Sequence, residues 1–433
     1  MERLKGANNR RVKSMNQSTV LQYIRGKGQV SKAEISDRTK LSFTAVKNII
    51  EELVSYDLIC EVGYDESSGG RKPLLYQIKS DRFYSIGLHL SVSRIRVSIL
   101  NLEGKMHHQF ETETRKEWLQ SNEIIDRMIE CIERALIDAN VERDKILGIG
   151  MAIPGPLDPF AGIVLSPPNM KGLEHVRLKE LVEAHFGLET FIEKDANLIA
   201  LGEFWHGAGR LNHNVFYLDA DIGIGSGFII DNKLYHGSPY GAGEIGHGTI
   251  HIDGPRCNCG NYGCLEAIAS GLAIERRAGE EIRRGADASF RTLYLDNENS
   301  IDIYTILHAA NEGDELAGRL LLESARYVGI AIGNAINLLM PQMIVIGGTL
   351  THAYPAYFDQ VKEVALNRIL SSFADNARIE KAQLGMFGGA IGAGMLVLEN
   401  FFDKDLSEGL PEAASRSQEG QAAPGAVTGQ AGE

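Results

Sequence analysis

Three of the five cysteines fall within eight residues, Cys257-Asn258-Cys259-Gly260-Asn261-Tyr262-Gly263-Cys264, with glycines between them. That crowding suits a metal knuckle. Thiolates are soft ligands, and the glycines let the backbone turn sharply enough to aim several sulfurs at one point. Ten residues upstream, Gly243-Glu244-Ile245-Gly246-His247 offers a histidine for the fourth corner of a tetrahedron, although His236 and His251 are also near in sequence. A redox pair or plain buried thiols are the competing readings. Glu244 and Glu266 bracket the cluster, so metal and carboxylates would share one neighbourhood. Cys60 and Cys131 stand alone, which is not a disulfide framework and fits a reducing cytoplasm.

At 433 residues the chain has room for two or three domains with real cores. No run of 18 apolar residues appears, so no transmembrane helix is expected, and Met1-Glu2-Arg3-Leu4-Lys5-Gly6 lacks the apolar stretch of a signal peptide. The net charge of −13 hides an asymmetry. Residues 1–80 carry 14 Lys+Arg against 9 Asp+Glu, a net +5, which leaves −18 for residues 81–433. A basic head on an acidic body points to nucleic acid, because only the head gains from phosphate contacts.

The spacing of Val20, Leu21 and Ile24 predicts a helix over 16–25, broken by Gly26-Lys27-Gly28. Ser31-Lys32-Ala33-Glu34 reads as a capping box that opens a second helix running to about Thr39. Ser42 opens a third, with Val46, Ile49, Ile50 and Leu53 inward and Phe43, Thr44, Lys47 and Asn48 outward. This is the helix-turn-helix pattern, and Ser42, Thr44, Lys47 and Asn48 are the candidate readers of base edges and phosphates. Strand-like runs at 58–63 and 74–78 flank Ser67-Ser68-Gly69-Gly70-Arg71-Lys72-Pro73. That makes a wing, with Arg71 and Lys72 at its tip suited to a narrow minor groove. A head of this shape also serves as a protein-binding module in principle.

Residues 84–100 alternate as a β-hairpin turning near Ser91-Val92-Ser93, and Asn101 to Lys105 make the next turn. A similar order follows about 130 residues later: Val215 to Leu218, a Gly-rich turn Gly223-Ile224-Gly225-Ser226-Gly227, Phe228 to Ile230, Asp231-Asn232-Lys233, and Leu234-Tyr235. A duplicated α/β domain with a ligand cleft between its halves explains the echo. Ile124, Ile125, Met128, Ile129, Ile132 and Leu136 form a helical core stripe. Ile146 to Ile153 is a buried strand ending in the rigid loop Pro154-Gly155-Pro156, and Met343 to Ile346 is another, ending at Gly347-Gly348. Residues 404–433, rich in Ser, Gly, Ala, Glu and Gln, read as a disordered tail.

From about 16 to 400 the chain resembles the ROK proteins (repressors, open reading frames and sugar kinases), in the branch of the N-acetylglucosamine and xylose repressors. The anchors are Ser68 to Pro73, the Gly155 loop, Asp195-Ala196-Asn197, Glu244 to His247, and Cys257 to Glu266. The resemblance implies an α/β chain: a winged helix-turn-helix over 1–80, then a duplicated actin-like, hexokinase-like domain with a zinc knuckle over 81–403. It implies one structural zinc on His247, Cys257, Cys259 and Cys264, and sugar contacts at Gly155, Asp195, Glu244, His247 and Glu266. Carboxylates suit a pyranose because each accepts two hydroxyl hydrogen bonds. Lys194 stands where the family usually has a sugar-contacting Asn. An ammonium donates but does not accept, so either the ligand bears a negative group or Lys194 pairs with a neighbouring carboxylate.

The rival function is a ROK-type ATP-dependent sugar kinase with a DNA-binding head. Aligned on the family's first phosphate turn, His89 replaces the magnesium-binding Asp, Ser91 and Val92 replace two Gly, and Ser93 replaces the Thr. His is a poor magnesium ligand, and Val92 blocks close backbone approach to phosphate. Asp221-Ile222 replaces a Gly-Thr in the second turn and adds a repelling carboxylate. The expectation is therefore a regulator without catalysis. It would work in the cytoplasm as a homodimer or homotetramer on palindromic operator DNA, governed by a sugar acting as inducer or co-repressor.

Overall fold

The computed structural model describes residues 9–64, 72–167, 170–238, 241–297, 300–404 and 406. Its first helix, Asn9–Lys27, begins earlier than the 16–25 core stripe implied, and Val20, Leu21 and Ile24 are fully buried. The Ser31 hydroxyl accepts from the Glu34 amide at 3.2 Å and so opens Lys32–Thr39 as expected, while the Glu34 carboxylate accepts from Tyr23 Oη at 3.0 Å. Ser42 caps Phe43–Ser55 in the same manner, through the Ala45 amide at 3.2 Å. Its apolar face, Val46, Ile49, Ile50 and Leu53, is buried. Strands Ile59–Tyr64, Leu74–Ile78 and Val30–Ser31 form an antiparallel sheet with Leu74–Ile78 in the middle. The loop tip 65–71, Arg71 included, lies outside the described residues, as does the expected tail from 407 onward.

Two five-stranded sheets follow. The first runs Thr190–Lys194, Ile146–Ile153, Tyr84–Leu90, Arg94–Asn101, Met106–Glu113 in spatial order. The second runs Lys233–Leu234, Ile224–Ile230, Val215–Ala220, Met343–Gly347, Ile379–Lys381. In both, the first three strands of the sequence are antiparallel, the fourth joins the first in parallel, and the fifth joins the fourth in parallel. The duplication expected from the echo is thus a duplication of topology. One detail differs. Only Asp221–Gly223 makes the turn after Val215–Ala220, and Gly225 and Gly227 lie inside the following strand. Glycine is needed there because a helix packs against that strand: a Cβ at Gly227 would stand 2.7 Å from the Ala196 carbonyl oxygen.

That helix, Asp195–His206, and the last one, Gly388–Asp403, sit between the sheets and against each other. Gly388–Asp403 belongs to the one described segment long and apolar enough to cross a bilayer, and its residues face the first sheet, so it is a core helix. Contact is so close that a Cβ on Gly392 would land on the Leu198 carbonyl oxygen, and one on Gly150 on the Ala393 carbonyl oxygen. Backbone cannot yield as a flexible side chain does. Gly392→Ala is therefore expected to lower stability by about 1–3 kcal/mol or more, read as a lower urea midpoint at unchanged m-value; an unaltered midpoint would refute the packing described.

Candidate functional site

The C-terminal ends of neighbouring strands meet at one edge of the first sheet. Ile153 is paired with Lys194 and Ala152 with His89, so the Gly155 loop, Lys194, Asp195 and His89 converge. Gly155 takes φ 88°, a left-handed conformation that suits glycine. Asp195 opens its helix, and its Oδ1 accepts from the Ala196 amide at 2.7 Å. Burial pushes its carboxyl up to about 6, against the lowering pull of that amide and of Lys194. The Lys194 ammonium lies 2.8 Å from Glu244 Oε1, so the carboxylate pairing foreseen for it is the one that forms. Glu266 Oε2 accepts from the Ile224 amide at 3.2 Å.

Glu193 escaped the sequence reading, and His236 entered it only as a candidate metal ligand. Glu193 is buried, and its carboxylate takes the Lys194 amide (2.8 Å), Asn197 Nδ2 (2.9 Å) and His236 Nε2 (2.8 Å). The bond to Glu193 raises the pKa of His236. His236 therefore serves Glu193 and does not join the thiols. Glu193 sits 43 positions from its partner, a separation that carries no spacing signal.

The knuckle is assembled as anticipated. Ligand atoms of His247, Cys257, Cys259 and Cys264 all lie within 4.8 Å of one another. Cys257 Sγ is 3.7 Å from His247 Nδ1, and Cys259 Sγ is 3.7 Å from Cys264 Sγ. A tetrahedron with metal–sulfur arms of about 2.3 Å has edges of roughly 3.8 Å, so the four groups fit zinc. Nδ1 faces the sulfurs, while Nε2 lies 3.9 Å from Glu244 Oε2 on the cleft side.

The phosphate side looks different. His89 is 8 % exposed, and a Cβ on Gly389 would come 2.7 Å from its ring. Burial, helped by Arg96, lowers its pKa to about 3, so the ring is neutral and enclosed. Arg96 is held by Glu111 at 3.2 Å. The turn at 91–93 closes on itself: the Arg94 amide donates to Ser91 Oγ at 3.1 Å, the Ser91 and Ser93 hydroxyls are 3.4 Å apart, and Val92 packs on the sheet's apolar cluster. Asp221 adds its carboxylate near Asp219, whose own carboxyl is pushed up to about 8 by burial and then by Asp221. Nothing in this arrangement resembles a cradle for a triphosphate.

On the head, Thr44, Lys47, Asn48 and Lys72 are exposed. Lys47 has Glu51 at 3.7 Å, and the Ser42 hydroxyl is engaged in capping.

Residues 85–400 match the ROK family. The chain belongs to the ROK family. It is 32% identical over 373 residues to the xylose repressor of Caldicellulosiruptor bescii, covering 86% of this chain and 92% of that one. It is 30% identical over 409 residues to the Escherichia coli K12 dual regulator NagC, covering 93% and 96%. Among solved structures it resembles a ROK family transcriptional regulator, a homologue of the E. coli Mlc protein, at 25% identity and TM-score 0.78, covering 93% of this chain and 100% of that one. The paired five-stranded sheets are thus the actin-like, hexokinase-like fold of ROK proteins.

Proposed function

We propose that this chain is a sugar-responsive transcriptional repressor. Residues 1–80 act as a winged helix-turn-helix on a palindromic operator, in a homodimer or homotetramer, in the cytoplasm. Residues 81–403 hold one structural zinc on His247, Cys257, Cys259 and Cys264. They also hold a sugar or sugar derivative, as inducer or co-repressor, at Gly155, Asp195, Glu244, His247 and Glu266. Lys194 takes part through Glu244. The chain is a regulator and not an enzyme. One contrast carries this reading: the carboxylate side of the cleft is intact, while the phosphate side is filled by the neutral, buried His89 ring. The relatives named as a xylose repressor and a DNA-binding transcriptional dual regulator, and the basic head, support it.

Thermal melts of the zinc-loaded protein with sugars, with and without ATP-magnesium, test it. Stabilisation by a sugar, indifferent to nucleotide, is expected; ATP-dependent consumption of the sugar would make the chain a kinase. For the head, binding to operator DNA should fall steeply with salt, and Lys72→Ala should reduce the slope of log K against log salt by about 1. Affinity indifferent to salt would remove the DNA assignment.

A further inference from the structure

Lys194 stands in the cleft beside several carboxylates, and its own contacts show what it does. The Lys194 ammonium has three donors. It reaches three acceptors on one turn: the Ala242 carbonyl at 3.3 Å, the Gly243 carbonyl at 3.5 Å and Glu244 Oε1 at 2.8 Å. Its side chain is 14% exposed. The strand Thr190–Lys194 belongs to the first sheet, whereas the turn leads into His247 and the knuckle, so the ammonium ties one half of the cleft to the other. Gly243 is itself pinned, since its carbonyl accepts from Ser226 Oγ at 2.9 Å. A lysine anchored in this way has no donor free for a ligand's phosphate or carboxylate.

The second cation, His236, is bound to Glu193 at 2.8 Å, and the third, Arg96, to Glu111 at 3.2 Å. Pairing Lys194 with Glu244 still leaves Asp195, Asp221 and Glu266 without a cation among their hydrogen-bond partners; each accepts from a backbone amide. Carboxylates are therefore in excess where a ligand would lie. An anionic sugar entering there meets like charge in a partly desolvated site, where repulsion is stronger than in water.

We propose that this cleft selects uncharged sugars and excludes sugar phosphates and uronates, with Lys194 clamping the Gly241–Glu244 turn instead of receiving an anion. The inference rests on the sugar-binding reading above and narrows its ligand class. It also settles the choice left open for Lys194 in favour of carboxylate pairing. Neutral hydroxyls suit the acceptors present, because each carboxylate still has lone pairs to offer. Removing the clamp would free Glu244 and loosen the turn that presents His247.

The test uses the full-length, zinc-loaded protein and matched probes: xylose, glucose and N-acetylglucosamine against glucose 6-phosphate, N-acetylglucosamine 6-phosphate and glucuronate, by calorimetry at constant ionic strength. At least one neutral sugar is expected to bind, and its charged counterpart at least tenfold more weakly. Lys194→Gln is expected to weaken the neutral sugar without altering the rank order, and Lys194→Arg to restore part of the loss. A phosphate or uronate binding more tightly than its neutral counterpart, with Lys194→Gln abolishing that preference, overturns the proposal alone. Failure of every probe, neutral and charged, overturns the sugar reading and this inference with it. A melt of each variant separates lost contacts from lost folding.

Discussion

Removing the zinc by chelation, or replacing Cys264 with Ser, is expected to abolish most sugar binding and lower the melting temperature by about 5 °C, the shift that a loss of about 3 kcal/mol produces in a body this size. The reason lies in how the knuckle joins the cleft. His247 turns Nδ1 to the sulfurs and Nε2 toward Glu244, so a metal held there would fix the ring that faces the proposed sugar site. Cys264 immediately precedes the helix Leu265–Ala269, which carries Glu266. The Leu265 amide donates to the Gly248 carbonyl at 3.0 Å, which ties that helix to the segment after His247. Metal loss therefore loosens two carboxylates and a histidine together. Sugar affinity should fall at least about tenfold, the usual effect of disturbing groups that orient a site's ligands. Cys131, buried under the first sheet, is the control: Cys131→Ser should keep both zinc content and sugar affinity. A chelated protein with undiminished sugar binding would show that the knuckle is independent of the cleft.

Local signals carried the sequence reading a long way. The knuckle was visible because its ligands crowd into one short stretch, where spacing reports geometry directly. The caps at Ser31 and Ser42 were visible for the same reason, since a cap is made with residues three positions on. The repeated sheet was visible through its alternating strands and turns. Its central Gly225 and Gly227 were misread as a turn, because glycine in a sequence signals a sharp bend and a close helix contact alike. The pairs that fasten the cleft were hidden. Glu193 with His236 and Lys194 with Glu244 are joined across 43 and 50 positions, and charged residues at such separations look like any solvated surface. His89 was legible as a departure from a motif, but only the packing of Gly389 shows that its ring is enclosed. Arg25 gave no signal at all, since an arginine near the end of a polar helix is ordinary.

Arg25 is nevertheless where the head meets the body, and its replacement by Ala is expected to uncouple operator binding from sugar. Its guanidinium stacks over Trp205 at 4.5 Å and over Phe402 at 5.0 Å. Trp205 Nε1 donates to Glu399 at 2.7 Å. Burial lowers Arg25 to about 10, with Glu399 opposing, and raises Glu399 to about 7, with the Trp205 bond and Arg25 opposing. Trp205 lies in the last turn of the same helix that Asp195 opens in the cleft, roughly 15 Å away at 1.5 Å per residue. A ligand that shifts Asp195 is expected to move Trp205 with it, because the helix is wedged by glycine contacts against Gly388–Asp403. In Arg25→Ala, sugar should still bind, operator DNA should still bind, and the effect of each on the other should vanish; by reciprocity both directions must fail together. The loss of stability should be about 1–3 kcal/mol, less than for a fixed buried pair, because Glu399 can take up a proton when its cation is gone. The pH dependence has a definite sign. A carboxyl raised from about 4.3 in the unfolded chain to about 7 in the folded one is stabilising below the lower value and loses that contribution as pH climbs through the upper. Relative to the wild type, Glu399→Gln should therefore gain stability between pH 5 and pH 8, by about 1–3 kcal/mol, and level off above. A flat difference across that range would place Glu399 in water and leave the junction to the stacking of Arg25 on its two rings.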